Sequence, residues 1–209
     1  MTNGLKETKI INYLDSLYPN PKCELIYNKD YELLIAVMLS AQTTDKRVNE
    51  VTKVLFNKYN SLEKLSKANV KDIENIIRPL GIVKKSSYII GVSKYLYENC
   101  DSKVPNDKDI LLKLPGVGIK TVNVVLSNLF DYPAIAVDTH VSRVSKRLGY
   151  AKEDDTPEAI EKKLEKKFPK DKWARLHHQL VLFGRYYCKS SNPMCDTCSI
   201  KDICKYKRK

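Results

Sequence analysis

Glycine and proline are scarce in this chain, 7 and 9 among 209 residues. Few strong breakers leave little punctuation for a chain of many short strands, and the long stretches between them read at helical period. Long apolar runs are also missing: the longest, Leu33 to Ala41, is roughly half of what a membrane-spanning helix needs. The amino terminus, MTNGLKETKIINYLDSLYPNP, lacks an apolar core followed by a small-residue cleavage site, so no secretory signal is expected. The expectation is a cytoplasmic protein, in which 6 cysteines should not form a disulfide framework. Internal repeats, low-complexity tracts, linker-like segments and convincing strands are absent as well.

What is abundant is positive charge. Lys and Arg number 37 against 25 Asp and Glu, a net charge of +12. A basic surface attracts polyanions, nucleic acid being the commonest. Lysine-rich usage spread over a solvated surface has the same composition, so charge alone does not decide. With 43% hydrophobic residues the chain can bury a core of one large domain or two small ones.

Ile10, Ile11, Leu14 and Leu17 predict a first amphipathic helix, stopped near Pro19 and Pro21. Leu33, Leu34, Val37, Met38 and Ala41 mark a second that is apolar on most sides and expected to lie centrally. Val51 to Tyr59, Ile73 to Ile77 and Ser86 to Tyr97 continue the pattern. Asp107 opens a short helix ending near Lys113, and Ile119 to Phe130 is a helix with Val122, Val125, Leu126 and Leu129 in one stripe. Thr139 to Leu148, Glu158 to Phe168 and Trp173 to Tyr187 complete an all-α reading.

Between two of these helices lies Leu114-Pro115-Gly116-Val117-Gly118, followed by Ile119, Lys120 and Thr121. Glycines leave backbone N–H groups uncovered, and at a helix start those donors add to the dipole to make an anion site. A DNA phosphate suits such a site, and contact with it positions a duplex without reading its sequence. A plain helix–helix turn would use the same glycines. Asp138, before Thr139, reads as a helix N-cap. Cys188, Cys195, Cys198 and Cys204, spaced C-x6-C-x2-C-x5-C, form a metal-binding set. Spacing alone leaves structural zinc and an iron–sulfur cluster both open. Cys23 and Cys100 stand apart as ordinary thiols, and His177 and His178 read as helix-surface or partly buried residues rather than ligands.

The strings LPGVGIKTVNVV and VDTHVSRV, together with LLIAVMLSAQTTD and the carboxy-terminal cysteines, closely resemble the endonuclease III family of helix-hairpin-helix DNA glycosylases. The resemblance covers nearly the whole chain. It implies one six-helix domain over about 22–132, carrying the hairpin at about 107–130. A second domain of 1–21 plus 133–209 would hold a [4Fe–4S] cluster on the four cysteines, with double-stranded DNA lying across the cleft between the two. Lys120 takes the position of the family's nucleophilic lysine and Asp138 that of its catalytic aspartate. Lysine suits the reaction because a neutral amine can attack the anomeric carbon of the sugar and form a Schiff base, which serves both base excision and strand cleavage. Desolvation or nearby positive potential would favour the neutral amine.

Gln42 and Ile82 match positions that enter the duplex when a base is flipped out, the amide pairing with the orphaned base and the aliphatic chain wedging the stack. Composition by itself reads Ile82 as a core residue. Leu114, Gly116, Val117, Gly118 and Thr121 are expected at the backbone contact. His140 is expected to line the pocket or touch phosphate, and Asp45 to play a supporting part. The implied substrates are duplexes with oxidised or ring-damaged pyrimidines or abasic sites, handled by a monomer associated with the nucleoid. Two rivals remain: a monofunctional mismatch glycosylase, which lacks a lysine at this position, and a non-catalytic hairpin module, which needs the glycines but not Lys120 with Asp138.

Overall fold

The computed structural model describes residues 4–40 and 43–206. Every regular element among the described residues is helical. In chain order these are α1 (Leu5–Leu17), α2 (Asp30–Leu39), α3 (Asp45–Lys58), α4 (Leu62–Ser66), α5 (Val70–Ile77) and α6 (Ser86–Asn99). They continue with α7 (Lys108–Leu112), α8 (Ile119–Phe130), α9 (Thr139–Arg147), α10 (Pro157–Glu165) and α11 (Trp173–Leu182). None of the described helices is long and apolar enough to cross a membrane. The chain divides into two compact units, one of Cys23–Phe130 and one of Met1–Lys22 with Asp131–Lys209.

The unit Cys23–Phe130 is built around α2, whose residues from Tyr31 to Leu39 are all buried. A helix apolar on every side belongs inside, and α2 packs against α3 and α8. Glu32 is the polar exception: its carboxylate accepts from the backbone N–H of Asn28 at 2.7 Å and of Lys29 at 3.3 Å. It thereby seals the open amino end of α2. Around it α3 buries Val48, Val51 and Leu55, and α5 buries Ile73 and Ile77, which are helical spacings. Side-chain caps start the helices. Thr44, Ser61, Asn69 and Asp107 each accept from a backbone N–H two or three residues on. The five-residue α4 was not anticipated, being too short to show a period.

The other unit joins α1 to the carboxy-terminal helices. Ile10 and Leu14 meet Val141 and Val144 of α9, Ile160 and Leu164 of α10, and Leu176 and Leu180 of α11 in one core. Each such burial contributes about 1.5–3 kcal/mol relative to exposure. The helix expected over Trp173 to Tyr187 is α-helical only to Leu182 and widens into a π turn over Phe183–Tyr187. Close passage explains this. A Cβ on Gly184 would lie 2.8 Å from the His140 Cβ, and the freed Gly184 carbonyl accepts from Arg143 Nη2 at 2.6 Å. His177, read from sequence as a surface or partly buried residue, is buried, with its ring 5.0 Å from that of half-buried His178.

Two stability predictions follow from this packing. Leu34→Ala, in the middle of α2, should cost about 2–5 kcal/mol in urea unfolding, whereas Val54→Ala, at a site 55% exposed, should stay within about 0.5 kcal/mol. Burial holds the His178 imidazole below its ordinary value, so the unfolded chain takes up that proton at higher pH than the folded one. Stability is then complete above the unfolded value of about 6.5 and falls as pH drops through the window beneath it. Urea midpoints measured from pH 7 to pH 5 should fall less steeply in His178→Gln.

Candidate functional site

In the unit Cys23–Phe130 the hairpin turn is anchored by its apolar residues. Leu114 and Val117 are buried, so whatever they offer a ligand is backbone, and the Val117 N–H bonds the Leu114 carbonyl at 3.2 Å. Gly116 has φ +74°, and a Cβ there would meet the Tyr88 ring at 2.4 Å. Pro115 lies against Gly91 of the same helix, α6. Gly118 differs: its φ is not positive and nothing lies within 4 Å of the place a Cβ would take. The fold therefore requires Gly116 but not Gly118.

Beyond the turn the Gly118 carbonyl accepts from Val122 N at 3.0 Å, so Gly118 is the residue at which α8 begins. The N–H groups of Ile119, Lys120 and Thr121 have no acceptor within the helix and sit at its positive end. Lys120 is exposed and makes no ion pair among the described residues, and Thr121 beside it is half-buried. The fold does not strip water from this amine.

Ile82 is half-buried against the core, between the left-handed Gly81 and a short turn Val83–Lys85. Lys85 donates to the Met38 carbonyl near the end of α2, tying the Ile82 segment to that helix. Burial lowers the Lys85 ammonium from its ordinary value. Neither this tie nor the Tyr88 lid was foreseen, since neither residue stands out in a lysine- and tyrosine-rich sequence. Gln42 lies outside the described residues. Asp45 is the first residue of α3, where a carboxylate complements the dipole.

In the other unit Asp138 caps α9, its Oδ1 accepting from Val141 N at 2.8 Å. The residues before it, Ala134 to Val137, are buried, so the half-buried carboxylate is held from both sides. His140 Nδ1 lies 3.1 Å from Arg143 Nη2, and Arg143 Nε donates to the Cys188 carbonyl at 3.2 Å. One turn further, Arg147 reaches the same loop through the Cys188, Lys189 and Ser190 carbonyls. These arginine contacts escaped the sequence reading, which had no way to bring residues forty apart together.

Cys188, Cys195, Cys198 and Cys204 line one cavity with Phe183 and Tyr187, and none of the six cysteines is in a disulfide. Four soft sulfur donors are the set expected for zinc or iron–sulfur ligation. Sulfurs 2.3 Å from one zinc ion would stand about 3.8 Å apart. Among the described residues no three Cys, His, Asp or Glu side chains close on a point in that way. Burial pushes the Cys198 and Cys204 thiols up, favouring their protonated form.

The family description "HhH-GPD superfamily base excision DNA repair protein" matches residues 35–170. Endonuclease III of Bacillus subtilis (strain 168) is 44% identical over 196 residues, 93% of this chain and 90% of the relative. A solved structure of a non-covalent endonuclease III–DNA complex is 43% identical, with a TM-score of 0.91 over 98% of this chain and 96% of that one. A second, of a trapped endonuclease III–DNA covalent intermediate (an estranged-adenine complex), is 44% identical with a TM-score of 0.88, covering 95% of each chain.

The two glycines of the turn should separate in stability measurements. Gly116→Ala, strained in φ and pressed against Tyr88, should cost about 1–3 kcal/mol. Gly118→Ala, entering open space, should change the free energy of urea unfolding by less than about 0.5 kcal/mol.

Proposed function

The chain belongs to the endonuclease III family within the HhH-GPD superfamily of base excision DNA repair proteins, and from that premise we propose the chemistry of its individual residues. The protein is a bifunctional DNA glycosylase and abasic-site lyase. It acts on double-stranded DNA carrying damaged bases, oxidised pyrimidines foremost, or baseless sugars. The observation that carries this reading is Lys120, exposed on the second residue of α8 directly after the Pro-Gly-x-Gly turn, in a chain similar along nearly its whole length to endonuclease III.

The turn binds a DNA phosphate through the first N–H groups of α8, and the absent side chain of Gly118 lets the backbone approach closely. Lys120 is exposed in the free protein, so bound DNA covers its amine. Nζ attacks C1′ of the damaged nucleoside as the C1′–N bond breaks and the base departs with the bonding electrons. Asp138, its orientation fixed by the Val141 N–H, stabilises positive charge developing on the sugar and assists the proton transfers. Ring opening yields a protonated imine between Nζ and C1′. Loss of a C2′ proton then expels the 3′ phosphate and cleaves the strand. Hydrolysis of the imine regenerates Lys120.

Gln42 and Ile82 fill the space left by the flipped base, and His140 lies near the pocket beside Asp138. The hairpin-bearing domain spans about 22–132, with 1–21 and 133–209 forming the second. Cys188, Cys195, Cys198 and Cys204 would hold a [4Fe–4S] cluster, which when bound cross-links the carboxy-terminal segment rigidly. No step of the reaction passes through it. The protein works as a monomer on nucleoid DNA in the cytoplasm.

Borohydride trapping tests the assignment. Wild-type protein should yield a covalent complex with abasic duplex, and Lys120→Gln should yield none while still binding it. Asp138→Asn should slow turnover about 10²- to 10⁴-fold with binding retained, and Gly118→Ala should weaken binding about tenfold without loss of stability. Undiminished trapping in Lys120→Gln would remove the nucleophile. Wild-type protein that shifts the duplex without nicking it would leave only a DNA-binding module.

A further inference from the structure

Arg147, the last residue of α9, makes more polar contacts with the cysteine segment than holding a loop requires. Its Nη1 lies 3.2 Å from Cys188 Sγ, 3.2 Å from the Cys188 carbonyl and 2.7 Å from the Lys189 carbonyl, and Nη2 lies 3.2 Å from the Ser190 carbonyl. The guanidinium stacks 4.1 Å from the centre of the Tyr206 ring. Its own carbonyl accepts from Cys204 Sγ at 3.2 Å and from Lys205 N at 2.8 Å. One residue thus touches both the first and the last cysteine of the set.

The charge around this contact points to an anion. Arg143, one turn earlier, reaches the Cys188 carbonyl at 3.2 Å, so two guanidinium groups converge on one cysteine. Neither arginine forms an ion pair with a carboxylate among the described residues, since their N–H groups are spent on carbonyls, an imidazole and one sulfur. Two cations held together without a counter-charge are unfavourable in a partly buried site. A [4Fe–4S]2+ core with four thiolates carries a net charge of −2 and supplies the missing anion. Planar Arg suits the place better than Lys, because its fork can serve carbonyls and sulfur together.

We propose that Arg147 is a positioning residue for the cluster, donating an N–H···S hydrogen bond to the Cys188 sulfur that raises the cluster's reduction potential and slows its loss. Reduction adds negative charge that spreads onto the sulfurs, and a fixed donor stabilises the more negative state more strongly. The role rests on the cluster reading above and adds to it a residue that is not a ligand.

The test uses full-length protein reconstituted anaerobically, with iron and sulfide counted before any variant is compared. Arg147→Met should hold the same iron and sulfide but show a lower midpoint potential in spectroelectrochemical titration. It should also bleach about tenfold faster under an iron chelator. Arg147→Gln, which keeps a shorter N–H donor, should fall between. If Arg147→Met does not fold, Arg147→Gln and Arg147→Lys decide in its place, at least one of them showing a lowered potential. Faster bleaching with an unchanged potential would mean that Arg147 only braces the loop, and the proposal would fall. A wild type that assembles no iron and sulfide would overturn the cofactor reading first and this one with it.

Discussion

At Gly116 the backbone turns through φ +74° beneath the ring of Tyr88, leaving no space for a Cβ. That close approach sets the direction in which α8 leaves the turn. Leu114 and Val117 are buried on either side, so the turn is held to the core of its unit by two side chains and a ring. What stays outside is Gly118, the uncovered start of α8 and Lys120. The two glycines therefore have different physical reasons. Gly116 answers to the fold, whereas no neighbour within the fold demands a glycine at 118.

A similar division runs through α9. Its start is capped by Asp138, the carboxylate assigned to the chemistry, so one side chain both begins a helix and is held in orientation by it. Its other end carries Arg143 and Arg147 toward the loop that begins at Cys188. Capping, burial of Val141 and Val144, and the arginine contacts make α9 a rigid element within its unit. Rigidity of this kind suits groups that must be in place before charge develops on a substrate.

Legibility in the sequence followed the range of the interaction. The helix over Ile119–Phe130 was read to the residue, because its start is marked by glycines and its body by a clear apolar period. The burial of α2 was legible from a run with no polar face. The short α4 was not, and neither was the π turn at Phe183–Tyr187, which exists because Gly184 must pass His140 closely. Lys85 and Tyr88 were invisible for the same reason: their neighbours are Met38 and Gly116, far along the chain, and nothing in their immediate spacing announces it.

The order of residues alone determined an all-helical reading, the Pro-Gly-x-Gly turn, the cap at Asp138 and four thiols close enough in sequence to share a centre. These rest on local backbone preferences and on periodicity, which act over a few residues. Tertiary structure decided which glycine the fold needs, that Lys120 is exposed, and that two arginines converge on Cys188. Burial, steric contact and charge repulsion depend on what is near in space. Distance along the chain does not record that.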